Sequence, residues 1–160
     1  MTVFTHSCSD INRCKEIVGK VTNLVSAKED YLVNVRMELF IMNMFAIVCA
    51  CQQIISEDNC KAVLDAYHRH IYNRFSHDGW NTNEIDSFEK ALNLRYNEYR
   101  KALMTTAPPN PLHYLGKYAT KHMFGKEYSE DILAIMQIAV SFTGVVKATK
   151  EMIQKSYKLV

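Results

Sequence analysis

Five glycines, three prolines and one tryptophan are all that this chain of 160 residues holds of those types, and the shortages exclude several chemistries. So few glycines leave little backbone for cradling a phosphate, and no glycine-rich nucleotide loop occurs. Nucleophile-elbow sequences and paired Cys-x-x-Cys ligands are absent as well. No convincing run alternates apolar and polar residues with period two, so strands are not expected. Charge of one sign is also lacking. The 19 basic and 17 acidic residues give a net charge of +2, which provides no concentrated basic field for nucleic acid or an anionic membrane.

No biased or repetitive tract marks a disordered region. One domain over residues 1–160 is expected, with any disorder confined to residues 1–9. The opening residues MTVFTHSCSD lack the basic and apolar regions of a secretory signal. Together with an odd set of five cysteines (Cys8, Cys14, Cys49, Cys51 and Cys60), this points to the reducing cytoplasm.

What the chain does contain is helical periodicity almost from end to end. The expectation is an all-α, single-domain bundle of five to six helices with two strongly apolar central helices. The first helix runs from about 10 to 27, with Ile11, Cys14, Val18, Val21 and Val25 on one side. The second, about 29–55, carries LFIMNMFAIVCACQQIIS (residues 39–56), 18 residues without a charge. That length touches the lower limit for a membrane span. Asn43 near its middle, Gln52 and Gln53 near its end, and the lack of aromatic belts favour the centre of a bundle instead.

ILAIMQIAVSFTGVV, residues 132–146, is its natural companion. The two helices should pack together, with Gly144 permitting a close approach. The third helix, capped by Ser56, has Cys60, Val63, Leu64, Tyr67, Ile71 and Phe75 as its stripe. FSHDGWNTN (75–83) makes a turn. A fourth helix over about 83–105 ends at TTAPPNP, and Pro111 opens a fifth that Gly125 closes. Ser129 is the expected cap of the sixth.

Metal-like spacings dissolve on inspection. Asp65 and His68 stand three apart as in carboxylate-bridged di-metal bundles, but the chain has no second copy of the pair. His68 and His70 fall on opposite shoulders of one helix. Cys49 and Cys51 are separated by about 200° of helical rotation and cannot share an ion. His6, Cys8 and Cys14 match no zinc module. No catalytic residues, metal or cofactor are therefore expected.

ALNLRYNEYRKAL, residues 91–103, poses the sharpest question. Arg95 lies about 60° from the centre of an apolar face formed by Ile85, Phe88, Leu92, Tyr96, Tyr99 and Leu103. A guanidinium on the shoulder of a core must be paired or must reach solvent. Glu38, which interrupts the apolar second helix, is the expected partner. In the functional alternative Arg95, with Tyr96 or Tyr99 and His68, lines a cleft between the helices at about 57–75 and 83–105 for an anionic ligand or a partner's carboxylate, and Glu38 belongs to the same candidate ligand- or partner-binding set. The preferred reading of the whole chain is a non-catalytic interaction or regulatory protein that binds a protein partner or itself as a homodimer. A small-molecule binder or enzyme is the alternative.

Overall fold

The computed structural model describes residues 29–125 and 130–157. These form an all-α bundle with no strand: α1 (Glu29–Ile54), α2 (Glu57–His77), α3 (Thr82–Leu103), α4 (Pro111–Phe124) and α5 (Ile132–Tyr157). The helix expected over residues 10–27 lies outside the described residues. The other five fall close to their expected positions.

Helix α1 is central because it has no polar side to turn outward. Met44, Phe45, Ala46, Ile47 and Val48 are consecutive and all buried, which requires neighbours all round. Helices α2, α3, α4 and α5 each pack against it. Full burial of a large aliphatic or aromatic side chain contributes roughly 1.5–3 kcal/mol, so this helix holds the core together. Helices α1 and α5 run parallel: Phe45 meets Phe142 at 6.0 Å between ring centroids, and farther along both chains Lys150 donates to Gln53 at 3.1 Å.

The two apolar helices differ in how much of them is covered. Val33–Ile54 and Ile132–Ser156 are both long and apolar enough to cross a membrane, with mean hydropathy of 1.5 and 1.7, yet 56% of the first window is buried and only 28% of the second. In α5, Ala134, Ile135, Ile138 and Phe142 face inward. Leu133, Met136 and Val140 face out.

Gly144 corrects one expectation. It is exposed, and no atom lies within 4 Å of where its Cβ would stand, so it does not mediate the α1–α5 contact. The close approach is made by Gly116 of α4, where a Cβ would sit 2.6 Å from the Ile135 carbonyl oxygen of α5. Gly144→Ala should accordingly raise the stability of the protomer by roughly 0.5–1 kcal/mol through helix propensity. A loss in chemical denaturation would contradict this outward placement.

Local chemistry sets the helix ends. Asn81 and Glu84 form a reciprocal capping box at the start of α3. Asn110 accepts from the His113 amide at 2.9 Å ahead of Pro111. Ser56 occupies the N-cap position of α2 but makes no backbone capping bond; its hydroxyl accepts from the Asn59 side chain instead. At α5, Asp131 Oδ1 accepts from the Ala134 amide at 3.0 Å, which gives the capping role to Asp131. Ser129 lies outside the described residues. Gly125 closes α4 with φ +104° and ψ 169°, backbone open only to glycine. This is an extended positive-φ form rather than the expected left-handed helical one.

Candidate functional site

The site is built on Glu38, a carboxylate in the middle of the apolar α1 and only 3% exposed. Such a group persists only where donors replace its water. Helix α3 supplies them from residues four apart on one face. Arg95 Nε donates to Glu38 Oε2 at 3.0 Å, and the Tyr99 hydroxyl donates to Oε1. The pair that the sequence suggested is thus present, and a tyrosine completes it.

The network continues in a direction the sequence reading missed. Arg95 Nη1 lies 3.7 Å from Glu98 Oε2, and the same oxygen lies 2.7 Å from His122 Nε2 of α4. Tyr99, Glu38, Arg95, Glu98 and His122 therefore link α1, α3 and α4 in one chain of polar contacts. Half of that extension was legible, since Arg95 and Glu98 are three apart on one helix and can meet. The His122 contact depends on how α4 crosses α3, which no local pattern encodes.

Burial governs the protonation of the cluster. It pushes the Glu38 carboxyl above its ordinary value of 4.5, while the Tyr99 hydroxyl, Arg95 and His122 draw it back down. Burial, then the adjacent negative charge of Glu38, raises Tyr99 well above the usual phenol range. Tyr99 therefore remains a donor. A carboxyl raised in the folded state contributes stability that is complete below its unfolded value and is lost as pH climbs through the folded one. The stability of the parent protein relative to Glu38→Gln should therefore improve as pH falls from 7 toward 4. Denaturation curves showing the opposite trend would mean that Arg95 outweighs burial.

A second polar contact lies between α2 and α3. His68 Nδ1 is 2.8 Å from the Leu64 carbonyl oxygen, and Nε2 is 3.2 Å from the Tyr96 hydroxyl. A nitrogen facing a carbonyl must carry its proton, so the neutral ring accepts at Nε2 from Tyr96. Tyr67, Tyr72 and Tyr96 surround the imidazole with ring centroids 5.5–6.5 Å away. Tyr96 and Tyr99 both pack on Phe45, at 5.3 and 5.6 Å.

The five residues singled out in the sequence thus divide into two groups, Glu38–Arg95–Tyr99 and His68–Tyr96, joined across Phe45. In both, the polar atoms are turned toward one another. An open groove of about 550 Å³ lies elsewhere, at the α2–α3 turn, where Met37, Trp80, Glu84, Phe88 and Ala91 line it. None of the five borders it. Among the described residues, no three of His, Cys, Asp and Glu converge as metal ligands would. Burial pushes the Cys49 thiol up to about 11, which suppresses its thiolate at neutral pH. The chain matches no protein-family model, no curated protein and no solved structure.

Proposed function

We propose that this is a non-catalytic interaction protein that binds an apolar helical surface of another polypeptide through the outward face of α5. One observation carries the reading: Ile132, Leu133, Met136 and Val140 are 58–69% exposed along one stretch of one helix. Contiguous large apolar side chains left in solvent mark interaction sites, whereas isolated ones are ordinary surface. The state of the buried polar groups supports the non-catalytic part. Arg95 is engaged by Glu38 and Glu98, which leaves its guanidinium poorly placed to receive an anionic ligand.

A soluble, cytoplasmic setting belongs to the same reading. The inner face of α5 packs on α1 and α4, and α2 and α3 present charged side chains such as Lys61, Asp65, Glu89 and Lys90 to solvent rather than a lipid-facing band. A photo-crosslinking residue placed at Met136 should capture polypeptide in cells, and Val140→Glu should abolish that adduct, while the same probe at Lys90 captures nothing specific. Equal labelling at both positions, or lipid adducts alone at position 136, would overturn the reading.

A further inference from the structure

We propose that the groove at the α2–α3 turn is the seat of the chain's own residues 10–27, docked there as an amphipathic helix. The proposal goes beyond the α5 reading and does not depend on it. Val33, Met37 and Phe40 recur at intervals of four and three and so share one side of α1. That side is turned toward α2 and α3, because Phe40 packs on Phe75 and Phe88 and Met37 lines the groove beside Trp80, Phe88 and Ala91. Val33, one turn earlier, is 64% exposed. An apolar strip of α1 thus leads out of the groove toward the start of the helix and ends uncovered.

Connectivity names the occupant. Helix α1 begins at Glu29, one turn or about 6 Å before Val33, and residues 1–28 arrive there. Among them Ile11, Cys14, Val18, Val21 and Val25 recur at intervals of three and four, the anchor pattern of a helix laid in an apolar groove. A reversal just before Glu29 sets Val25 beside Val33 and Val21 beside Met37, and carries Val18 toward Trp80 and Phe88. Residues 10–27 extend about 27 Å as a helix, longer than the stretch of about 10 Å from Glu84 to Ala91 that α3 contributes to the groove. The outward face of α5 is the poorer seat for this segment. It lies opposite Ala134, Ile138 and Phe142, which face the core, so the chain would have to pass around α5 to reach it.

The rim agrees with an apolar occupant. Asn81 and Glu84 bond to each other's backbone in the capping box, and the Ser87 hydroxyl donates to the Asn83 carbonyl oxygen at 2.7 Å. These polar groups are engaged at the start of α3 itself, which leaves Met37, Trp80, Phe88 and Ala91 as the surface offered to an incoming group. Apolar anchors suit that surface, and a polar small molecule would find its hydrogen-bonding partners already taken.

Trp80, the single tryptophan, reports on the groove directly. In the full chain, Val21→Asp should shift its emission to the red and speed its quenching by acrylamide, whereas Lys20→Asp, on the polar side of the same stretch, should do neither. Emission and quenching unchanged by Val21→Asp would overturn the proposal. A second measurement leaves the stripe's other anchors in place. In the double variant Val21→Cys with Met37→Cys, a short bismaleimide should join positions 21 and 37 within one chain, as located by peptide mapping. A 21-to-37 link found only between chains would assign the groove to a second copy, and an absent link with both thiols open to alkylation would seat the segment elsewhere; either result overturns the proposal. The Met136 photo-adduct is read separately, so the α5 reading stands or falls on its own.

Discussion

Arg95→Ala should lower the unfolding free energy at neutral pH by about 3–5 kcal/mol, the usual consequence of stranding one member of a buried ion pair. The asymmetry of the pair sharpens the expectation. Arg95 is 23% exposed at its side chain and Glu38 only 4%, so the carboxylate is the member that cannot turn to water. Glu38→Ala should therefore cost less through electrostatics, because Arg95 keeps Glu98, and more through the cavity and the orphaned Tyr99 hydroxyl. Acid should shrink the Arg95→Ala loss, since protonation relieves the stranded group.

Replacing the ions together should recover much of the stability. Glu38→Leu with Arg95→Met still leaves the hydroxyl of Tyr99, which is fully buried, without its acceptor. Adding Tyr99→Phe should bring the triple variant closer to the parent than the double. Urea denaturation of the set decides the matter. A neutral Arg95→Ala, with no gain from the compensating changes, would show that the network is held for something other than stability.

Gly116→Leu should be the most damaging single change at the α4–α5 crossing. A Cβ there falls 2.6 Å from the Ile135 carbonyl oxygen and 3.0 Å from its Cγ2. The first is backbone and cannot rotate away, so the helices must separate. Overpacking of this kind typically costs about 1–3 kcal/mol, against a gain of roughly 1 kcal/mol in helix propensity when glycine is lost. Gly116→Ala should thus show a smaller net loss, and Gly144→Ala, with the same propensity gain and open space, none. Thermal melts of the three variants provide the comparison. A Gly116→Ala protein that melts above the parent would place the crossing farther apart than described.

These two glycines also show where sequence reading succeeds and fails. Gly144 sits inside a run apolar on every side, so periodicity cannot say which face turns inward, and a glycine there looks the same at a helix crossing as on the surface. Gly116 lies between Leu115 and Lys117, where its role depends on the path of the helix that follows. Arg95 and Glu38 were legible for the opposite reason. A charge interrupting an apolar helix needs a partner wherever it packs, and the second core-facing charge stood on a neighbouring helix. Val63 falls on the expected apolar stripe of α2 and is 40% exposed; of that stripe only Cys60 and Ile71 are buried. The helix boundaries were readable wherever a proline or Asn-capped turn set them, as at Asn81 and Asn110, and less so at Ser56, where the serine holds the position without making the capping bond.

Trp80, the single tryptophan, stacks on Phe75 with ring centroids 4.5 Å apart and meets Phe88 edge-on at 6.2 Å. It joins the end of α2 to the start of α3 and contacts nothing from α4 or α5 in that ring cluster. Phe40 of α1 packs on both Phe75 and Phe88, so the emission is a local optical reporter of the α2–α3 hairpin and its seat on α1, whereas far-ultraviolet dichroism sums over every helix. If the bundle melts as one cooperative unit the two signals will fall together; if the α2–α3 hairpin loosens first, fluorescence will lead and the helical signal will lag.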